Sequence, residues 1–229
     1  MLFYVFKFIF EDKTMLTKYG YSTIGITSLI SFVFIVISIL TQNVYIKYPL
    51  IATAVFLLIF TLFFFRDPDR IPPEKDNVIV APADGKILVV KEVIDERFIK
   101  DKAWQVSIFM SPLNVHVNRI PIDGKIDYLK YIKGEYLVAY NDKADVRNER
   151  SEFGITSKYG KVLFTQVAGM VARRIIYDLK LGDYVKMGER FGMIKFGSRV
   201  DVVVPKKWNL KVKVNDLTTA GETVLFDIN

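Results

Sequence analysis

Two long apolar runs without a charged residue dominate the N-terminal third of the chain. They extend over Tyr21–Leu40 and Tyr48–Phe65, which are 20 and 18 residues long. A helix of about 20 apolar residues spans the hydrocarbon core of a bilayer, and a lysine or arginine at its centre would cost about 2.5–3.5 kcal/mol. A secretory signal peptide fits poorly, because there are two runs and no small-residue cleavage site follows the first. The sequence therefore predicts that residues 1–65 form a membrane-anchoring helical hairpin.

Basic residues flank the hairpin on its outer ends. The connection between the runs, Thr41–Lys47, carries only Lys47, whereas three basic residues precede the first run and three follow the second: Lys7, Lys13, Lys18, Arg66, Arg70 and Lys75. Because cytoplasmic segments are enriched in Lys and Arg, both ends of the hairpin are predicted to lie in the cytoplasm, with the rest of the chain on the cytoplasmic side of the cell membrane. The alternative is a monotopic hairpin that enters one leaflet and returns.

The remainder, residues 66–229, has the pattern of one β-rich domain. It opens with the linker Arg66–Pro73, in which three prolines within six residues favour an extended chain. No segment after residue 75 shows a long apolar period of 3.6 residues; short β-branched or aromatic runs alternate instead with turn signals such as Asp84-Gly85. The predicted strands are Val78–Val80, Ile87–Val93, Gln105–Phe109, Val162–Val167, Val200–Val204 and Leu210–Val214.

One segment of this domain, Gly182–Ile194, has a recognisable shape. Its Gly-Asp turn, valine, second glycine and apolar strand follow one another as in flattened barrels of the biotinyl/lipoyl type. The predicted fold class is therefore mainly β, a flattened barrel or barrel-sandwich of this type, preceded by the N-terminal hydrophobic α-helical hairpin.

Composition and charge exclude several kinds of site. The chain has no cysteine, hence no disulfide and no thiol nucleophile, and its single histidine excludes most zinc sites, so no metal is predicted. The net charge of +7 is dispersed, with no dense basic face interleaved with aromatics, so no nucleic-acid partner is predicted. An anionic membrane surface and mere solubility account for this charge equally well. Two interpretations are likewise open for Arg119, Arg173 and Arg174, which are either phosphate ligands or residues of the solvated surface.

Two titratable side chains, Asp84 and His116, are candidates for acid–base catalysis. Asp84 lies in the turn Pro82–Gly85, where its carboxylate either bonds nearby N–H groups or orients a general base. His116 lies between Val115 and Val117, and on a strand it would face opposite to both. It is either a structural core histidine or the proton-transfer group, since imidazole alone exchanges protons readily near neutrality without a perturbed pKa.

The dipeptide Gly197-Ser198 could be a site of self-cleavage. Glycine lacks a Cβ and tolerates strained backbone, so the Ser198 hydroxyl could approach the Gly197 carbonyl. Attack would convert the amide into an ester, elimination would leave dehydroalanine, and hydrolysis would give a pyruvoyl ketone and ammonia. Gly-Ser is a common dipeptide, so this interpretation depends on its surroundings. An ordinary serine hydrolase fits less well, because there is no Gly-x-Ser-x-Gly elbow and the pattern is β-rich.

Taken together, these residues resemble the phosphatidylserine decarboxylase proenzyme family in its short form. The resemblance is carried by four pieces in the expected order, strongly over residues 60–205: Phe64–Arg70, Ala81–Gly85, Ser107–Pro121 and Arg190–Asp201. It implies that the chain cuts itself between Gly197 and Ser198 into a membrane-bound β chain, 1–197, and an α chain, 198–229, which remain together as a heterodimer.

The resemblance also implies a cofactor and a reaction. Ser198 would become a covalent pyruvoyl group, which forms a Schiff base with phosphatidylserine in the membrane and yields phosphatidylethanolamine and carbon dioxide. His116 would reprotonate the substrate carbanion and, with Asp84, handle the protons of self-cleavage.

The chain departs from the family pattern at two positions. Longer relatives carry a second histidine where this chain has Arg119, so either His116 serves both steps or cleavage uses Asp84 with water or another group. Arg199 likewise replaces the threonine that follows the cleavage-site serine in longer relatives. The competing interpretation is a non-catalytic, membrane-anchored barrel-sandwich adaptor. Head-group contacts, substrate breadth and the number of copies that assemble stay open.

Overall fold

The structure, a computed structural model, describes residues 16–135, 148–169, 175–195 and 198–229. The chain divides into two compact units, Met1–Asp69 and Arg70–Asn229. The division falls inside the proline-rich segment Arg66–Pro73.

The first unit is a helical hairpin. A 3₁₀ turn, Lys18–Gly20, leads into α1, Tyr21–Leu40, and α2 follows as Val44–Phe64. Asn43 caps α2, because its side-chain oxygen accepts a hydrogen bond from the Tyr45 N–H at 2.9 Å. The boundaries of α1 match the first apolar run, and α2 begins four residues before the second run.

The hairpin leaves most of its apolar surface uncovered. The helices pack against each other, and their buried residues include the small side chains Ser31, Ser38, Ala54 and Thr61, which permit close approach of two helices. Large apolar side chains point outward, among them Leu29 and Phe56 at 64% exposure. Both helices are long and apolar enough to cross a membrane, so the hairpin is compatible with membrane association.

The second unit is built from antiparallel strands, which confirms the mainly β prediction. The strands are β1 Val78–Val80, β2 Gly85–Asp95, β3 Asp101–Met110, β4 Val117–Arg119, β5 Gly124–Ile132, β6 Arg150–Ser157, β7 Gly160–Ala168, β8 Ile175–Tyr177, β9 Tyr184–Val185, β10 Arg190–Ile194, β11 Ser198–Pro205, β12 Asn209–Leu210, β13 Leu217–Thr218 and β14 Val224–Asp227.

Eight strands form one curled half-barrel sheet in the order β13-β2-β3-β11-β7-β6-β5-β9. Two three-stranded sheets, β1-β14-β12 and β4-β10-β8, complete the unit. The segment predicted as a strand over Leu210–Val214 is wrong beyond Leu210. There the chain turns, because Asp216 accepts from the Lys213 N–H at 2.9 Å and Asn215 adopts a positive φ of 78°.

The large sheet has two faces that differ in chemistry. Its inner face, which carries Val200, Val202 and Val204, packs into the main hydrophobic core. At the centre of that core Phe164 stacks at 5.2 Å from Phe153 and meets Phe191 edge-on at 5.1 Å, and burial of each such ring contributes about 1.5–3 kcal/mol. The outer face carries the intervening residues. Strand β11 is buried on both faces, which explains its three consecutive valines, Val202–Val204.

Candidate active site

Ser198 opens the strand β11 between two partners. Its Cα pairs with Met110 of β3 on one side and with Ala168 of β7 on the other. Because strand residues alternate, Ser198 shares the inner face with Val200. The side chain is completely buried, and its hydroxyl donates to the Met110 thioether at 3.3 Å, a weak acceptor. The preceding residue, Gly197, lies outside the described residues.

His116 lies in the loop just before β4, not on the strand, so the predicted strand alternation with Val115 does not apply to it. The imidazole is completely buried, and its Nδ1 lies 2.9 Å from the Asn114 carbonyl oxygen. A carbonyl only accepts, so in the neutral ring this contact assigns the proton to Nδ1 and makes Nε2 the basic nitrogen. The loop itself is held by Asn114, whose side chain accepts from the Ser111 N–H and hydroxyl at 2.9 and 2.8 Å.

A buried polar network joins Ser198 to the strand that follows His116. The Met110 thioether that receives the Ser198 hydroxyl also lies 3.6 Å from the Asn118 amide nitrogen. Gln166 of β7 in turn donates to the Asn118 side-chain oxygen at 2.8 Å. Asn118 and Gln166 are completely buried. The structure therefore brings the serine and the histidine segment into one contiguous region of the core.

Sequence reasoning did not single out Asn118, Gln166 or Met110. A signal was present for Gln166, since this amide alternates along β7 with the apolar inward residues Phe164 and Ala168. Such a residue must find a buried partner, because an unpaired polar group in the core costs about 1–3 kcal/mol. What could not be read from the sequence is the packing of β4 against β7, two strands of different sheets, that supplies Asn118 as that partner.

Asp84 is held by an arginine and by a backbone N–H. Its Oδ2 accepts from Arg70 at 2.9 Å and its Oδ1 accepts from the Ala220 N–H at 2.8 Å. The turn that carries it adjoins β4, because the Pro82 carbonyl accepts from the Arg119 N–H at 2.9 Å. The next residue must be glycine, since a Cβ on Gly85 would overlap the Phe109 carbonyl oxygen.

The three arginines considered as phosphate ligands have different outcomes. Arg119 is buried and donates through Nη1 to the Gly188 carbonyl at 2.9 Å, which is a contact within the fold. Arg173 and Arg174 lie outside the described residues. Within the described ranges, no group of three or more His, Cys, Asp or Glu side chains could hold a metal ion.

The chain joins an apolar two-helix hairpin to an antiparallel β unit. This unit buries a serine at the start of its central strand. The protein is therefore of the class that combines a hydrophobic helical hairpin with a β domain and a buried serine hydroxyl. The comparisons with known proteins are more specific. A model of the phosphatidylserine decarboxylase family matches residues 57–226. The chain belongs to this family, which confirms the resemblance seen in its motifs.

Curated relatives cover about three quarters or more of the chain. A protein from Chlorobium limicola is 49% identical over 211 residues, which are 92% of this chain and 99% of the relative. One from Chlorobium phaeobacteroides is 46% identical over 217 residues, 92% of this chain and 98% of the relative. One from Salinibacter ruber is 50% identical over 180 residues, 77% of this chain and 79% of the relative. Each bears the name phosphatidylserine decarboxylase proenzyme.

Proposed function

We propose that this chain is a membrane-bound phosphatidylserine decarboxylase, made as a proenzyme that cuts itself between Gly197 and Ser198. The observation that carries the proposal is the place of Ser198, completely buried at the first position of the central strand β11. The backbone of this residue is paired with a neighbouring strand on both sides. Membership of the family, and the word proenzyme in the relatives' names, support the same conclusion.

Self-cleavage begins when the Ser198 hydroxyl attacks the Gly197 carbonyl carbon. The new C–O bond replaces the C–N bond, the proton passes from oxygen to nitrogen, and an ester results. Removal of the Cα hydrogen of residue 198 expels Gly197 as a carboxylate and leaves dehydroalanine, which takes up water and releases ammonia to give the ketone. A well-placed internal hydroxyl supplies about 7–11 kcal/mol through proximity and orientation. His116 and Asp84 are the proposed proton carriers, and His116 offers its Nε2 as the base.

The residues around Ser198 suit the keto group that replaces it. The hydroxyl oxygen leaves with Gly197, and the Met110 thioether, which receives that hydroxyl among the described residues, loses little because it is a weak acceptor. The ketone supplies an electron sink, since its Schiff base with the serine amine of the lipid delocalises the charge left when carbon dioxide departs. His116 is the proposed acid that returns a proton to Cα.

The two chains are proposed to stay together as a heterodimer because they share their sheets. In the smaller chain β11 pairs with β3 and β7, β13 pairs with β2, and β14 pairs with β1. These partners all belong to the larger chain, so the cut breaks one covalent bond and no strand pairing among the described residues.

The hairpin is proposed to keep the enzyme at the cell membrane, where its lipid substrate resides. Its exposed apolar side chains support membrane attachment. The predicted orientation, with the β unit on the cytoplasmic side, completes the proposal.

The mass of the purified protein tests this function. We expect two fragments that meet between residues 197 and 198, with a terminal carbonyl on the smaller fragment that reacts with hydroxylamine. The variant Ser198→Ala should give one uncut, inactive chain, and Ser107→Ala, which removes another buried serine of the same sheet, is the matched control. An intact wild-type chain without a carbonyl would refute the proposal and leave the adaptor interpretation in its place.

A further inference from the structure

A cavity of about 230 Å³ opens on the outer face of the large sheet, on the side opposite to Ser198. Ser198 and Val200 face the core, so Asp201 and Val203 of the same strand point to the outer face. The cavity has a mixed polar lining contributed by four strands and the β2–β3 connection: Arg97, Gln105, Arg150, Glu152, Thr165, Asp201 and Val203. It is a separate place in the fold from the site described above.

The floor of the cavity is a row of three polar residues across three strands. Thr165 of β7 lies opposite Asp201 of β11 on one side and opposite Glu152 of β6 on the other. Side chains at such positions are neighbours, about 4.5–5.5 Å apart at Cβ. Thr165 is only 2% exposed, and its hydroxyl makes no hydrogen bond to any described residue. A buried hydroxyl of this kind calls for a partner inside the cavity.

Donors are concentrated at one end of the cavity. The guanidinium groups of Arg97 and Arg150 both reach the same oxygen of Glu152, at 3.1 and 3.2 Å. Arg97 uses its Nε on Asp95 and its Nη1 on Glu152, so in the described part of the chain its Nη2 donors make no hydrogen bond. The Tyr128 hydroxyl donates to the other Glu152 oxygen at 2.9 Å. Burial and the Glu152 carboxylate raise the pKa of Tyr128 to about 12, so this donor keeps its proton near neutrality.

The opposite end presents the Asp201 carboxylate and the Gln105 amide, and the whole network is neutral. Asp201 pairs with Arg199 at 2.8 Å, and Gln105 of the neighbouring strand β3 lies opposite Val203, two positions along β11 from Asp201. With Asp95 included, the network holds three carboxylates and three guanidinium groups. It therefore has no net charge that a bound ion would neutralise. A lone anion would meet two carboxylates in the lining, and a lone cation would meet two guanidinium groups. A molecule with both charges meets an opposite charge at each end.

We propose that this cavity binds a small zwitterion that carries an oxyanion and an ammonium group. The oxyanion lies against Arg97 and Arg150, the ammonium lies toward Asp201 and Gln105, and the Thr165 hydroxyl bonds to the ligand between them. Free serine and phosphoethanolamine both have this chemistry, with a carboxylate in one and a phosphate in the other.

Calorimetric titration of the full chain in maltoside micelles tests the proposal. The protein carries Ser198→Ala, so no ketone is present to react with an amine, and failure of the proposed decarboxylase function would not affect the result. The probes are L-serine, O-phosphoethanolamine, ethanolamine and inorganic phosphate. We expect at least one zwitterion to bind once per chain and about tenfold or more tighter than ethanolamine or phosphate. The two zwitterions show which oxyanion is preferred.

Variants place the binding in this cavity. Thr165→Val keeps the side-chain shape and removes the hydroxyl, and Arg97→Gln removes the unused donors; each should weaken binding about tenfold or more. The matched control Thr156→Val changes an exposed threonine of β6 and should leave binding unchanged. Binding that survives both cavity variants, equal binding of phosphate alone, or no heat with millimolar zwitterion would each overturn the proposal. Circular dichroism confirms that each variant is folded.

Discussion

The buried amide pair Asn118–Gln166 should behave as one energetic unit. The substitution Asn118→Leu preserves size but leaves the Gln166 Nε2 donor, now 2.8 Å from its acceptor, without a partner in the core. A buried unsatisfied donor costs about 1–3 kcal/mol. The other two Asn118 contacts, at 3.4 and 3.6 Å, are long and add little. We therefore expect Asn118→Leu to lower the free energy of unfolding by about 2 kcal/mol.

The pair can be separated from general packing by a double-mutant cycle. In Asn118→Leu/Gln166→Leu both partners become apolar, so no polar group of the pair remains unsatisfied, and the combined cost should fall below the sum of the single costs by about 0.5–3 kcal/mol. Urea unfolding of the full chain on the Ser198→Ala background measures this. Its two tryptophans, Trp104 and Trp208, both lie in the β unit and report on that unit alone.

The control for this cycle is Asn209→Leu. Asn209 is exposed and bonds Asn229 at 2.7 Å, so its loss should change the free energy of unfolding by less than about 0.5 kcal/mol. Strictly additive single costs for Asn118 and Gln166 would refute the argument that the two amides form a coupled pair.

Three further outcomes follow from the structure. His116→Gln should reduce decarboxylation by the mature protein by about 10²–10⁴-fold in a carbon dioxide release assay, because no other imidazole exists in the chain; full turnover would remove His116 from the mechanism. Deletion of residues 1–65 should leave self-cleavage intact and lower activity on phosphatidylserine vesicles far more than on a soluble short-chain lipid, whereas equal activity on vesicles would contradict the anchoring role. Burial favours the neutral form of Asp95, but the N–H groups of Phe98 and Ile99 and the Arg97 guanidinium outweigh it and hold its pKa below the usual value. The ionised Asp95 carboxylate therefore stabilises the fold above about pH 4, and this contribution is lost as the pH falls toward the lower folded-state pKa. Asp95→Asn should make the free energy of unfolding depend less on pH in that range. The control Asp127→Asn, which changes an exposed side chain, should leave this dependence unchanged.

Local patterns were sufficient for the helices and for the long strands β2, β3, β7 and β11, but not for β5 and β6, which were not predicted although they are nine and eight residues long. An apolar run of 20 residues has few alternatives to a helix, and α1 has the predicted boundaries. The run Val200–Val204 was predicted as a strand, and its burial on both faces accounts for its lack of alternation. The short strand Val117–Arg119 was not predicted, because three residues hold no periodicity and are fixed by pairing with β10.

The contact partners of the candidate site residues could not be predicted, because most of them lie far away in the sequence. Ser198 and His116 could be singled out as residue types, since a Gly-Ser bond and a lone imidazole are visible in one dimension. Asp84 accepts a hydrogen bond from the N–H of Ala220, which is 136 positions away in the sequence, and no local pattern predicts this contact. The same holds for the contact between Gln166 and Asn118, which depends on the packing of two different sheets.

The burial of Ser198 also bears on the outcome of the proposed self-cleavage. The ester can react in two ways. Elimination leads to the ketone, whereas hydrolysis would leave an ordinary serine at the new N-terminus, so the cleaved chain would have no ketone. Hydrolysis needs water at the ester carbonyl, while elimination needs only a base at the Cα hydrogen of residue 198. A completely buried position beside Met110 and Ala168 disfavours the first and permits the second. Water is required only later, for the hydrolysis of dehydroalanine, when residue 198 is no longer tied to Gly197 and can move to admit it.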